Sequence, residues 1–161
     1  MTEGIQVVSN RNISKVTVTD VEDRPGMAAE VFGTLGARGF NVELVVSTGG
    51  REGHADISLA VSRSQEAQVR DLLDEIREEV KGRDIQINSK VALISLVGHA
   101  LSREVGLAGR MFAALSSRGI NIEVISTSMS SVTCMIDEDR LEAAEQALRV
   151  EFDVHEPPPA G

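Results

Sequence analysis

Two stretches of the chain carry one pattern. They are Gly26-Met-Ala-Ala-Glu-Val-Phe-Gly-Thr-Leu-Gly-Ala-Arg-Gly-Phe-Asn-Val-Glu43 and, 80 residues later, Gly106-Leu-Ala-Gly-Arg-Met-Phe-Ala-Ala-Leu-Ser-Ser-Arg-Gly-Ile-Asn-Ile-Glu123. Eight positions are identical without a gap. The identical pairs are Gly26/Gly106, Ala28/Ala108, Phe32/Phe112, Leu35/Leu115, Arg38/Arg118, Gly39/Gly119, Asn41/Asn121 and Glu43/Glu123. The repeat predicts two copies of one small folding unit.

The residues around each copy predict the same order of elements. In the first copy, alternation and β-branched residues indicate strands at 13–20, 40–48 and 54–61, with a possible irregularity near Ser14. A helix follows Asp23, which is a plausible cap, with Pro25 in its first turn and Gly39 as a left-handed stop. A second helix is expected at 64–80 and a short strand at 84–88. The second copy predicts strands at 90–97, 120–127 and 131–136, and helices at 107–118 and 137–151.

This order predicts an α+β fold of two ferredoxin-like βαββαβ domains, each with an antiparallel sheet and its helices on one face. We place the domains at residues 10–82 and 83–154, followed by a disordered tail at 155–161. Residues 5–9 form a further strand candidate, which could complete the sheet of the other unit.

Composition narrows the class of function. The 161 residues carry a net charge of −9 and only four aromatic side chains, all Phe, which argues against a nucleic-acid partner. No apolar run is long enough to span a membrane, and the N-terminus does not resemble a signal peptide. A single cysteine, Cys134, fits a cytoplasmic protein.

The sequence contains no recognisable catalytic motif. It lacks a phosphate-binding Gly-x-x-x-x-Gly-Lys loop, a His-Glu-x-x-His pair and a Gly-x-Ser-x-Gly elbow. Its three histidines lie far apart, and Cys134 alternates with Val132 and Ile136 as a core residue would. We therefore expect no enzyme activity, metal or cofactor.

The junction of first strand and first helix can bind a ligand. The bare N–H groups of a helix start could donate hydrogen bonds to a carboxylate, and Asp20 or Asp23 could hold an ammonium group, which together describe an α-amino acid. Hydroxyls near the strand ends, at Ser47, Thr48 and residues 126–128, could close such a pocket. The alternative is a simple capped turn.

At these residues the chain resembles the tandem ACT domains of aspartokinases. Asp23-Arg-Pro-Gly-Met-Ala-Ala-Glu-Val-Phe and Phe40-Asn-Val-Glu-Leu-Val-Val look like the first domain, and Gly119-Ile-Asn-Ile-Glu-Val-Ile-Ser-Thr-Ser looks like the second. The resemblance covers roughly residues 13–153. It implies a homodimer, formed through the ACT sheets, that binds a small amino acid such as lysine or threonine. The implied effector residues are Asp23, Arg24, Pro25, Gly26, Met27, Ala28, Asn41, Ser47, Thr48, Asn121, Ser126, Thr127 and Ser128.

The chain departs from the family pattern at several of these positions. Ser47-Thr48 replaces the usual Gln-Asn, Ser128-Met129-Ser130 replaces Ser-Glu-Ile, and Glu104-Val105-Gly106 replaces His-Pro-Gly. These changes imply a pocket for a smaller or more apolar amino acid, or one silent site. Nothing resembles a kinase domain, so we expect a regulatory partner of an aspartokinase catalytic subunit or a free-standing ACT protein. The alternative function is an oligomerisation or docking subunit that has lost effector binding.

Overall fold

The computed structural model describes residues 4–50 and 52–155. Their strands and helices follow the predicted order. The elements are β1 (Gln6–Glu22), α1 (Met27–Ala37), β2 (Val42–Gly49), β3 (His54–Ser62), α2 (Glu66–Ile76), β4 (Asp84–Val97), α3 (Leu107–Ser117), β5 (Val124–Thr127), β6 (Ser131–Asp137) and α4 (Leu141–Phe152).

The chain divides into two compact units. The first-repeat unit is Asn12–Ser89, and the second-repeat unit combines the described residues of 1–11 with those of 90–161. The long strands β1 and β4 each contribute residues to both units. For this reason the units differ at their ends from the limits of 10–82 and 83–154 that the repeat suggested.

The sheet strands that contribute to the first-repeat unit lie in the order β2-β3-β1-β4. Strand β3 pairs antiparallel with both β1 and β2. Alternate residues of β1 and β3, among them Val16, Val18, Ile57 and Leu59, are buried in one core cluster with residues of α1 and α2. Both helices therefore cover the same face of the sheet, as the prediction of a ferredoxin-like α+β fold requires.

The second-repeat unit has the corresponding order β1-β4-β6-β5. Its own chain segment supplies only three strands, and the N-terminal part of β1 supplies the fourth. Ile5 is 5% exposed in this core, and Val7 packs against it. This confirms the interpretation that the N-terminal segment completes the sheet of the other repeat.

Several local predictions need correction. The irregularity of β1 lies between Val18 and Val21, where the register with β3 shifts, and not near Ser14, which pairs regularly with Val61. Asp20 takes a left-handed conformation there (φ 57°). Helix α2 ends at Ile76 rather than residue 80, and β5 begins at Val124 rather than residue 120. The expected left-handed stop after α1 is confirmed, since Gly39 has φ 80°.

The tail predicted to be disordered, at 155–161, lies outside the described residues apart from His155. None of the helices in the described part of the chain is long and apolar enough to cross a bilayer.

Candidate effector site at the helix starts

The first-repeat junction is a tight turn between β1 and α1. The Asp23 N–H donates to the Gly53 carbonyl at 2.7 Å, and the Met27 N–H donates to the Arg24 carbonyl at 3.2 Å. Gly26 precedes the helix with φ 89°, a conformation that favours glycine. The first intrahelical bond runs from the Glu30 N–H to the Gly26 carbonyl, so the N–H groups of Ala28 and Ala29 have no carbonyl of their own helix to bind.

Two expectations about this junction are wrong. No side chain caps α1, so Asp23 is not its cap, and Pro25 lies before the helix rather than in its first turn. Helix α1 begins after Gly26, which has a left-handed backbone conformation, and no side-chain hydrogen bond contributes to this start. The helix start therefore has no internal side-chain acceptor.

Ion pairs join several of the charged side chains around this junction. The Arg24 guanidinium donates to both carboxylate oxygens of Glu30, at 3.0 and 2.8 Å, and lies 3.5 Å from Glu22. The pKa of Arg24 is raised, chiefly by its hydrogen bond to Glu30. The Lys81 ammonium lies 3.1 Å from Glu22, and its hydrogen bond is the main cause that lowers the pKa of that carboxyl. Asp20, the other candidate for ammonium binding, accepts a hydrogen bond from Arg83 at 2.8 Å.

The second-repeat junction has a longer loop but the same helix start. A short 3-10 turn at His99–Ser102 precedes Gly106, which has φ 90°. The first bond of α3 runs from the Arg110 N–H to the Gly106 carbonyl at 3.0 Å. The N–H groups of Leu107, Ala108 and Gly109 precede that first bond, so they have no carbonyl of their own helix to bind. Again no side chain caps the helix.

A cavity of about 270 Å³ opens at the start of α3. It combines loop, helix and strand-end residues, and its lining is Leu101, Glu104, Gly106, Leu107, Ala108, Thr127, Ser128 and Val132. The volume is slightly below the roughly 300–1,000 Å³ typical of small-molecule pockets, which suits only a small ligand. Its polar lining residues are Glu104, Thr127 and Ser128, beside the start of α3, and its large apolar lining residues are aliphatic.

The hydroxyl of Ser128, which lines this cavity, is held in a tight turn. The Ser128 N–H donates to the Ser131 carbonyl at 2.8 Å, and the two serine hydroxyls lie 2.8 Å apart. The Gly98 N–H donates to the Ser130 carbonyl at 2.9 Å, which ties the loop before α3 to this turn. The strand end and the loop are thus fixed to each other by backbone hydrogen bonds.

The structure brings only part of the predicted site to this cavity. Thr127 and Ser128 line it, whereas Asn121 is exposed before β5, and Ser126 pairs with Thr133 within the sheet. The remaining predicted residues lie in the first repeat. Asp23, Arg24, Pro25, Gly26, Met27 and Ala28 surround the start of α1, Asn41 precedes β2, and Ser47 and Thr48 pair with Ile57 and Asp56 of β3.

Six lining residues were not among the predicted site residues: Leu101, Glu104, Gly106, Leu107, Ala108 and Val132. The repeat contained a signal for the second of these. Glu104 stands 80 residues after Arg24, at the same place before the glycine, and so belongs to the loop at the equivalent helix start.

In the described part of the chain, neither the cysteine thiol nor a cluster of metal-ligating side chains offers a second candidate site. Cys134 is fully buried, and burial raises the pKa of its thiol to about 12, so it is a core residue as predicted. Within residues 4–50 and 52–155, no group of three or more His, Cys, Asp or Glu side chains is placed to hold a metal ion.

The family profiles and the similar proteins all indicate one family. The ACT domain profile matches residues 15–80, and a second ACT domain profile matches residues 94–152. The aspartate kinase of Pseudomonas putida is 31% identical over 94% of this chain, and the aspartokinase of Helicobacter pylori is 33% identical over 93%. The chain spans 37% and 36% of the length of these two relatives.

Two solved structures are similar to this chain over nearly the full length of both chains. The regulatory subunit of aspartate kinase from Thermus thermophilus, in a ligand-free form, superposes with a TM-score of 0.86 at 25% identity, covering 93% of this chain and 99% of that one. A chain from a structure of aspartokinase alpha and beta subunits has a TM-score of 0.84 at 29% identity, covering 92% of this chain and 97% of that one. The chain therefore belongs to the ACT domain family, as a tandem pair of ACT domains of the kind that forms the regulatory region of aspartokinases.

Proposed function

We propose that this protein is a non-catalytic regulatory module that binds a small free amino acid. The observation that carries the proposal is the cavity at the start of α3, where a helix N-terminus, two hydroxyls and a carboxylate meet aliphatic side chains. These groups complement the two charged ends and the short side chain of an α-amino acid.

Each part of the ligand has a candidate partner. The ligand carboxylate accepts hydrogen bonds from the first N–H groups of α3, where the helix dipole favours negative charge. The Thr127 and Ser128 hydroxyls bind either carboxylate or side-chain oxygens. The first-repeat residues 23–28, with Asn41, Ser47 and Thr48, are the candidates for an equivalent site around α1.

The regulated enzyme would be of the aspartokinase type. Similarity to an aspartate kinase regulatory subunit along nearly the whole chain supports this. Ligand binding would favour one arrangement of a homodimer formed through the ACT sheets, and so bias an associated catalytic subunit. Such coupling typically corresponds to about 1–3 kcal/mol of difference in binding free energy between two states.

Calorimetric titration of the purified protein tests the proposal. Each of the twenty amino acids is added to the full chain, with thermal unfolding as a second readout. We expect saturable binding of one or a few small amino acids, lysine and threonine being the first to test. If none binds while the protein co-purifies with a kinase subunit, the chain is a docking subunit and not a sensor.

A further inference from the structure

The N-terminal segment, residues 4–11, carries a pattern that returns 80 residues later. Ile5-Gln-Val corresponds to Ile85-Gln-Ile, and Ser9 corresponds to Ser89. The later copy belongs to β4 and to the first-repeat unit, whereas the N-terminal segment belongs to the second-repeat unit. Each unit therefore contains a copy of the same short strand, taken from a different place in the chain.

The two copies make the same contact with the second helix of their unit. The Ser89 hydroxyl donates to the Glu66 carboxylate at the start of α2, and the Ser9 hydroxyl donates to the Glu145 carboxylate on α4. Residues 12–89 separate the N-terminal copy from the rest of its own unit along the chain. Its position in that unit therefore depends on packing and hydrogen bonds rather than on a short connecting loop.

The first residues of the N-terminal segment pack on Gly98, where β4 has ended and the loop before α3 begins. A Cβ added at Gly98 would overlap the Gly4 carbonyl oxygen and would lie 3.2 Å from the Ile5 Cα. Two backbones approach this closely only where one of them is glycine. The N-terminal segment therefore covers the beginning of the loop directly.

Gly98 is in turn bonded to two sides of the cavity at the start of α3. Its N–H donates to the Ser130 carbonyl at 2.9 Å, within the turn that contains Ser128, and its carbonyl accepts from the Leu101 N–H at 3.3 Å. Ser128 and Leu101 both line the cavity. The N-terminal segment thus packs on a residue that joins the loop side of the cavity to its strand-end side.

The side chains of the N-terminal segment pack in the core beside the same cavity. Ile5 is buried in the cluster that also contains Leu107 and Val132, and Val7 packs against that cluster. Leu107 and Val132 line the cavity. Loss of the segment would remove part of the packing of this cluster, which costs free energy for each apolar group that becomes exposed or unsupported.

We propose that the N-terminal segment is a clasp on the amino-acid cavity, so that ligand binding and docking of this segment stabilise each other. The inference rests on the proposed function and adds its regulation. With the segment docked, Gly98 is covered and the two sides of the cavity keep their spacing. A ligand that binds only this docked state favours docking, and a partner that draws the segment away weakens ligand binding by the same factor.

Hydrogen exchange followed by mass spectrometry tests this coupling in the full chain without any substitution. Threonine is the probe, at a concentration that saturates its calorimetric signal, and alanine replaces it if threonine gives no signal. With ligand, we expect peptides covering residues 5–9 to exchange more slowly by about fivefold or more. Helix α2 (Glu66–Ile76), in the first-repeat unit, should exchange as before.

Unchanged exchange at residues 5–9 would overturn the inference and leave the proposed function intact. Equal slowing in α2 would show general stabilisation of the protein and would overturn it as well. If calorimetry detects no amino acid binding to wild type, the proposed function itself fails and the clasp fails with it.

Gly98→Ala tests the clasp from the other direction, because its Cβ displaces the N-terminal segment and Gly98 does not itself line the cavity. It should weaken threonine binding by about tenfold or more and speed exchange at residues 5–9. Gly33→Ala, whose Cβ meets no atom within 4 Å, is the matched control and should leave both unchanged.

Ser9→Ala provides the same test if Gly98→Ala does not fold. It removes the hydrogen bond to Glu145 and should speed exchange at residues 5–9 and weaken threonine binding by about two- to threefold. Wild-type affinity in a variant whose N-terminal segment exchanges faster would show that docking and ligand binding are independent, which would contradict the clasp.

Discussion

Gly26 shows how one residue sets the start of a helix. Its φ of 89° is strained for any residue with a Cβ, although a Cβ there would meet no atom within 4 Å. We expect Gly26→Ala to destabilise the protein by about 1–2 kcal/mol through backbone strain alone. Gly33, within α1 and equally open, is the matched control.

Gly33→Ala should instead stabilise the protein by about 0.5–1 kcal/mol, because alanine loses less backbone entropy in a helix. Urea unfolding followed by circular dichroism measures both variants. Equal effects of the two substitutions would show that the left-handed turn does not determine the cost.

Cys134 is predicted to be inert in the folded protein. Burial raises the pKa of its thiol to about 12, so almost no thiolate exists at neutral or mildly alkaline pH. A thiol reagent at pH 8 should modify the protein only when urea unfolds it, at a rate set by the unfolding equilibrium. Rapid modification of the native protein would contradict the burial of this side chain.

The sequence predicted core positions better than local backbone detail. Cys134 and Gly39 behave as their patterns indicated, because alternation and a helix-stop glycine report burial and φ directly. Alternation does not report hydrogen-bond register, so the bulge between Val18 and Val21 was misplaced to Ser14. The absent cap at Asp23 has a similar cause, since residue type alone does not reveal that Gly26 starts the helix in a left-handed conformation.

Helix α2 is attached to the first-repeat sheet by its first residue. The Glu66 carboxylate accepts hydrogen bonds from the hydroxyls of fully buried Ser14 and of Ser89, the latter at 2.6 Å. These bonds, that of Ser14 first, lower the pKa of Glu66 below its ordinary value of 4.5. The ionised carboxylate therefore stabilises the fold above that value, and the contribution is lost as the pH falls through the lowered pKa.

Ser14→Ala should cost about 1–2 kcal/mol at pH 7 by removing a hydrogen bond to a charged group. The difference from wild type should narrow as the pH falls below about 4.5, because the protonated carboxyl gains less from the hydroxyl. Urea unfolding at pH 7 and pH 3 measures this. Ser64→Ala, which removes an exposed contact to Ser62, is the control and should show no such pH dependence.

The N-terminal segment, which comprises Ile5 and the first residues of β1, should be essential to the second-repeat unit. Ile5 is 5% exposed in that unit's core, whereas Val8 is 47% exposed. We expect Ile5→Ala to cost about 2–5 kcal/mol, as for other buried aliphatic side chains, and Val8→Ala to cost less than about 1 kcal/mol. Denaturant unfolding measures both, and similar small losses would show that this strand is dispensable.

At the level of elements, the repeat made the order of strands and helices predictable in both units. The pairing of the N-terminal strand with the second repeat was only one possibility, because a short apolar run does not determine which strand it pairs with. The candidate site was harder to predict than the order and pairing of the elements. Thr127 and Ser128 could be named as strand-end hydroxyls, but Leu101 reaches the cavity only through the fold of the longer loop before α3, and Val132 reaches it from strand β6.

At the scale of the whole molecule, each unit has its own buried core. The residues that line the candidate cavity all belong to the second-repeat unit. An amino acid that binds only the folded protein must raise its stability by mass action. At a free concentration 100 times the dissociation constant the gain is about 2.7 kcal/mol, which appears as a concentration-dependent rise in the melting temperature. A melting temperature independent of ligand concentration would argue against binding to the native state.

The most direct test of the amino-acid site is a two-dimensional ¹H–¹⁵N NMR titration of the labelled protein with threonine and, separately, with alanine. We expect saturable shifts of the backbone amides of Leu107, Ala108, Thr127 and Ser128, since these residues line the cavity at the start of α3. Unchanged positions of these amides under conditions where calorimetry detects binding would place the ligand elsewhere and contradict the account.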